Sequence, residues 1–163
     1  MTGKAIIREA IPDELDEIEA LVRTGYAEFR PLFQEDIWEK WMANISQALR
    51  SPEGILLVAE QEGKLAGAVK FYEDANQSRM GHWPPGAAAI RLLAVNPGAR
   101  GGGIGTLLTE ECLRRARELN ISTIYLYTGA FMVAARHIYE KLGFQRAPEF
   151  DREIGPIAYR MEL

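Results

Sequence analysis

The stretch AIRLLAVNPGARGGGIGTLL, residues 89–108, restricts this chain more than any other. An apolar run that reads as a strand passes into a turn in which five of the eight residues from Gly98 to Gly105 are glycine, and then into a helical pattern. A strand, a turn nearly free of side chains and a helix start bring several backbone N–H groups and the positive helix end around one small volume. Gly101, Gly102, Gly103 and Gly105 lack the Cβ atoms that would hold an anion away from those donors. Glycine content alone also fits a flexible turn before a helix, so the flanking residues must decide.

Two phosphate motifs fail on residues. A P-loop requires Gly-x-x-x-x-Gly-Lys-Ser/Thr; Gly98 and Gly103 have the spacing, but Ile104 and Gly105 stand where the lysine and hydroxyl belong. A dinucleotide fingerprint requires Gly-x-Gly-x-x-Gly, yet Gly103-x-Gly105 is followed by Leu108.

The rest of the chain supplies a frame for this unit. Lys4–Ala10 reads as a first strand, and Pro12-Asp13-Glu14 opens a helix carrying Leu15, Ile18, Leu21 and Val22 on one face. A second helix is expected over 34–49, its stripe formed by Ile37, Trp38, Trp41, Ile45 and Leu49. Residues 55–61 and 65–72 read as a hairpin about Glu62-Gly63-Lys64, and residues 74–86 as a loop. A strand over 88–95, a helix over 103–119, a strand over 121–128 and a helix over 131–142 closed by Gly143 come next, with two short strands at the end. The order β-α-α-β-β-β-α-β-α-β-β predicts one α/β domain over 1–163, with antiparallel hairpins and one parallel pair in a right-handed crossover.

Composition narrows the partners. A net charge of −4 leaves no cation excess for a nucleic-acid surface, and a mildly acidic chain is compatible with a cationic substrate. The single cysteine, Cys112, excludes an internal disulfide framework and a multi-cysteine metal site, so no metal is expected. No apolar run reaches a membrane span and the first residues lack a signal core, which gives a cytoplasmic expectation and no membrane partner.

Arg100-x-x-Gly103-x-Gly105 after an apolar strand resembles the Gln/Arg-x-x-Gly-x-Gly/Ala motif of the GNAT N-acetyltransferase superfamily. The segment Ala135–Phe144, ARHIYEKLGF, is similar to that family's A-x-x-L-Y-x-K-x-G-F segment. The two motifs stand in the family's order, separated by a helix and a strand, while the first eighty or so residues match only in element order.

The resemblance implies a mixed, mostly antiparallel six- to seven-stranded sheet with a splayed parallel pair and helices on both faces. It implies acetyl-CoA as co-substrate, its pantetheine arm on the backbone of Leu93, Ala94 and Val95, with the Leu93 N–H polarising the thioester carbonyl. The amides of Arg100, Gly101, Gly102, Gly103, Gly105 and Thr106 would hold the diphosphate. Tyr139 would be the general acid to the departing sulfur, a role worth about 10²–10⁴-fold, and a phenol stays protonated near neutrality. Met132 stands where the family commonly has asparagine, and Ala89 stands near the position where some members carry a glutamate base.

The base is therefore open among Glu73, Asp74, His82 and water; His82 has the ordinary pKa nearest neutrality. His137 falls on the helix face opposite Ala135 and Tyr139. Acceptor walls are expected from Phe29, Phe33 and Tyr72, with Tyr26 and Trp83 as further candidates, and Glu35, Asp36 and Asp151 could attract an amine. The expected activity is direct acetyl transfer to a primary amine of a small molecule or peptide in a ternary complex. The alternatives are transfer of a longer acyl group and a non-catalytic acyl-CoA sensor. Homodimers are common in the resembling family, but no interface is legible in the sequence.

Overall fold

The computed structural model describes residues 3–163. Its elements are β1 (Ile6–Glu9), α1 (Leu15–Tyr26), α2 (Glu35–Arg50), β2 (Ile55–Gln61), β3 (Lys64–Tyr72), β4 (Ala88–Val95), α3 (Ile104–Glu118), β5 (Thr123–Thr128), α4 (Val133–Leu142), β6 (Gln145–Arg146) and β7 (Ile157–Glu162). This is the order the sequence predicts. The expected breaks are tightened into short 3₁₀ turns, including Ala27–Leu32 between α1 and α2 and Ala75–Ser78 after β3.

The strands form one seven-stranded sheet in the order β1-β2-β3-β4-β5-β7-β6. Among the described residues only β4 and β5 run parallel; the other pairs are antiparallel. Alternating side chains of β2, β3 and β4 serve two cores. On one face Leu57, Val69 and Phe71 join Ile104, Leu108, Cys112 and Ala116 of α3, the i, i+4 stripe read from the sequence. On the other, Val58, Ala68 and Ala94 meet Ile18 and Val22 of α1 and Trp38, Met42, Ile45 and Leu49 of α2. Cys112 lies in the first core, and burial pushes its thiol pKa up, which fits a small apolar residue rather than a nucleophile.

One expectation needs correction. Ile37 is 48% exposed, and Met42 joins the buried stripe of α2 in its place. The helix is anchored by a contact the sequence pattern hides: the buried Lys70 of β3 donates from Nζ to the carbonyls of Ala48 (2.6 Å) and Ser51 (2.9 Å). A cation on the last carbonyls of α2 satisfies orphan acceptors and opposes the negative helix end. It also fixes how α2 sits over the sheet.

Candidate active site

The parallel pair opens partway along its length. β4 and β5 are in register only at Ala88–Ile124, Ala89–Tyr125 and Ile90–Leu126, although both strands continue. The reason lies in β4, which sets Leu92 and Leu93 against the single Val69 of β3. Such a bulge bends its strand and strengthens the local twist. Leu92 takes a φ of +66°, a left-handed conformation that costs an L-residue roughly 1–2 kcal/mol. The side chains record the slip: Ile90 belongs to the α3/α4 core, Leu92 and Ala94 to the α1/α2 core, and Leu93 and Val95 pack against the first core again. A backbone segment is thereby left facing a gap.

Tyr26 holds the bulge from the α1 side. Its hydroxyl donates to the Leu93 carbonyl at 2.8 Å, and its ring stacks on Trp41 with centroids 5.5 Å apart. Burial pushes the phenol pKa up, so it remains a protonated donor. Gly25 lets α1 come close: a Cβ there would stand 3.3 Å from Ala94 Cβ and 3.4 Å from the Val95 carbonyl.

Beyond β4 the chain turns through Pro97–Ala99 into α3. Gly101 and Gly103 sit at φ +87° and +81°, and an added Cβ on either would project into open space. Gly103 immediately precedes α3 as its N-cap residue, and the helix has neither a side-chain cap nor an acidic residue in its first turn. Its leading N–H groups are therefore left for an anion. A groove of about 460 Å³ runs along this turn, lined by Leu93, Ala94, Val95, Gly101, Gly103 and Gly105. Arg100 and Thr106 also line it, whereas Gly102 is exposed outside it. The Arg100 guanidinium folds onto α1, donating to the Gly25 carbonyl (2.8 Å) and to Glu28 (3.1 Å).

Tyr139 lies on the other side of the gap. It is 4% exposed, packs edge-on to Phe144 at 5.6 Å, and is raised in pKa by burial. Its helix is tied to the sheet by Tyr159 of β7, whose hydroxyl accepts from Arg136 Nε (3.0 Å) and donates to Glu140 (2.5 Å). Tyr139 lines a second cavity of about 330 Å³. Tyr26, Leu93, Met132 and Ala135 line both spaces, so groove and cavity meet at the strand gap. Met132 precedes α4 without capping it, and Thr128 Oγ1 donates to its sulfur at 3.4 Å.

The other sequence candidates divide between the two spaces and positions elsewhere. Phe33 lines the second cavity and Phe29 the groove, each edge-on to Phe131 at 5.5 and 5.0 Å. Tyr72 is buried and lines an adjoining recess beneath the end of α2, so it forms no wall of the gap cavity. Trp83 is buried against Tyr125 at 4.6 Å. His82 is exposed and lines neither space, so the structure does not bring an imidazole to Tyr139. His137 is exposed, at the rim of the groove.

Glu73 and Asp74 are exposed, and Asp74 accepts from the Asn76 N–H at 3.0 Å as the cap of a 3₁₀ turn. Glu35 pairs with Arg30 and Asp151 with Arg146, while Asp36 is exposed. Among the described residues, no carboxylate or imidazole lines the second cavity. The sequence reading misses Trp41, which it places only on the stripe of the second helix, and two cations, Arg91 and Arg152. Arg91 carried a signal: it is a charged residue inside an otherwise apolar strand.

Residues 15–144 match the model of the acetyltransferase (GNAT) family. A relative named as an uncharacterized N-acetyltransferase of Schizosaccharomyces pombe is 28% identical over 94% of this chain and 91% of its own length. Mycothiol acetyltransferase of Cellulomonas flavigena is 36% identical over 64% of this chain, which spans 30% of that longer protein. Among solved structures, the PaiA N-acetyltransferase of Thermoplasma acidophilum in complex with coenzyme A superimposes with a TM-score of 0.76. It shares 17% identity, with 98% of this chain and 99% of that one covered. A GNAT family acetyltransferase of Brucella melitensis in complex with acetyl-CoA gives 0.68 at 20% identity, covering 98% and 88%.

Proposed function

We propose a function from one premise: the chain belongs to the acetyltransferase (GNAT) family. It moves an acetyl group from acetyl-CoA directly to a primary amine held in the second cavity. The observation that carries this reading is the junction of two spaces at the strand gap, one bordered by main-chain donors and the other by Tyr139.

The groove suits the coenzyme by its donor chemistry. The amides of Gly101, Gly103, Gly105 and Thr106 meet a diphosphate at an uncapped helix start. Leu93, Ala94 and Val95 present a strand edge that β5 no longer pairs, which suits an amide-bearing arm. The coenzyme, when bound, supplies a thioester carbon as the electrophile.

This chain's own residues do the rest. The Leu93 N–H stabilises charge developing on the carbonyl oxygen, with its carbonyl group held back by Tyr26. Tyr139 gives its hydroxyl proton to the sulfur as the C–S bond breaks and the C–N bond forms, and it regains a proton from solvent. Burial favours its protonated form. The amine must lose one proton to attack and another on becoming an amide. With no carboxylate or imidazole on the described cavity wall, water carries both away. Lone Cys112 is buried in the core, which favours direct transfer over an acyl-enzyme.

The test is thiol release from acetyl-CoA across a panel of primary amines, with the product identified by mass. Amine-dependent release and an N-acetylated product support the reading. Tight acetyl-CoA binding with no amine accepted by any member would favour the sensor alternative.

A further inference from the structure

The acceptor cavity has a charge of its own, opposite in sign to the chain's net charge. Beside Tyr139 and the aromatic wall of Phe33, Trp41 and Phe131, its charged residues are Arg91 and Arg152. Both also line the adjoining recess of about 730 Å³ beneath the end of α2. Neither forms an ion pair with a described residue. Arg91, half-buried on β4, gives Nη1 to the Ser78 carbonyl at 3.1 Å and lies close to Tyr72 and Tyr26. Arg152 is exposed on the loop before β7.

The other charges around the recess are already matched. Arg50 is held by Asp16 (2.6 Å) and Glu19 (3.0 Å), and Arg79 by Glu53 (3.4 Å). Withdrawing a guanidinium from water without a counter-anion is costly, and its planar fork of donors fits a carboxylate or phosphate with two parallel hydrogen bonds. The acids that the sequence offered as amine attractors, Glu35 and Asp151, are paired elsewhere and face neither space.

We propose that the acceptor is an amine carrying an oxyanion, a carboxylate or phosphate, which Arg91 and Arg152 grip where the cavity adjoins the recess while the amine faces the strand gap. The inference rests on the acetyl-transfer reading for the amine, but the oxyanion site stands on geometry independent of turnover. An apolar or aromatic body between the two ends fits the walls. A polyamine, cationic at both ends, would put like charge beside the two arginines.

Binding and turnover test it separately on the full chain. In the binding arm, 3-phenylpropionate, phenyl phosphate and neutral 3-phenylpropanamide are titrated while the fluorescence of the wall tryptophan Trp41 is followed, against a Trp41→Phe control. At least one anion should bind roughly tenfold or more tighter than the amide, as a charge-assisted pair allows. Which anion wins separates carboxylate from phosphate. Arg152→Ala, on an exposed loop, should erase most of that preference and Arg152→Lys should keep part of it; Arg91→Gln should act as Arg152→Ala does. In the turnover arm, 4-(2-aminoethyl)benzoate should exceed phenethylamine, or tyramine O-phosphate exceed tyramine, in kcat/KM. Equal binding of acids and amide, or a preference unchanged in Arg152→Ala, overturns the proposal. Anion preference without any acetylation would instead overturn the transfer reading and leave the oxyanion site standing.

Discussion

The two spaces that meet at the β4–β5 gap are built on different principles. The groove is made of main chain: a bulged strand edge, two glycines at positive φ and the bare start of α3. The cavity is made of side chains from α1, α2, β4, β5, α4 and the loop before β7. Main-chain recognition asks for particular backbone conformations, and glycine advertises those in one short stretch. Side-chain recognition is distributed over residues far apart in sequence, each of which is ordinary where it stands. Acetyl-CoA affinity should accordingly depend on a few glycines, while acceptor choice should depend on scattered side chains.

The sharpest way to break this division is at Tyr139, which lines the cavity and not the groove and to which the proposed mechanism gives the acid role. Tyr139→Phe should lower kcat by about 10²–10⁴-fold while acetyl-CoA affinity stays within about twofold, measured by single-turnover kinetics and calorimetry. A matched loss of affinity would mean that the tyrosine only shapes the coenzyme site. Next is Gly103→Val. At φ +81° a β-branched residue is strongly disfavoured, so the turn must rearrange. Acetyl-CoA should bind roughly 10- to 100-fold more weakly to a variant whose circular dichroism is unchanged. Unchanged affinity would separate the glycine turn from the diphosphate.

Tyr26→Phe probes the seam between the two spaces. Removing the hydroxyl leaves the Leu93 carbonyl without its 2.8 Å donor. The expected cost is about 1–2 kcal/mol in denaturant unfolding, together with a severalfold rise in the KM for acetyl-CoA. The smallest effect is in the pH profile. Burial raises the pKa of Tyr139, and no carboxylate or imidazole on the described cavity wall can supply an acid limb. The rate should therefore rise with pH along a limb that follows the acceptor's amine, moving by about one unit when an acceptor one pKa unit lower is used. It should show no fall below about pH 10, the ordinary tyrosine value. A limb fixed near neutrality for every acceptor would point to an enzyme base.

Legibility followed the same division. Every strand and helix was foreseen in order because α1, α3 and α4 keep clean three- and four-residue spacing and the strands are bounded by glycine, proline or polar turns. The groove residues came from Arg100-x-x-Gly103-x-Gly105, a local pattern with a local cause. The bulge left no such mark, since Ile90 and Leu92 are both plain aliphatics two residues apart and only their opposite cores reveal the slip. Tyr72 misled because an aromatic near a strand end can face either side; it closes the recess rather than the gap. Overall charge says little about a cavity a few residues wide, and no described carboxylate lines this one. Arg91 was legible in hindsight, being a cation in an apolar run that needed a reason to be there.

The central claim is that the free edge of β4 and the open start of α3 together receive acetyl-CoA, with its reactive end beside Tyr139. Crystals grown with acetyl-CoA measure this directly. The account predicts the diphosphate within hydrogen-bond reach of the Gly101–Thr106 amides and the thioester in the gap, between Leu93 and the Tyr139 hydroxyl. A coenzyme bound outside the groove, or a thioester remote from Tyr139, would contradict it.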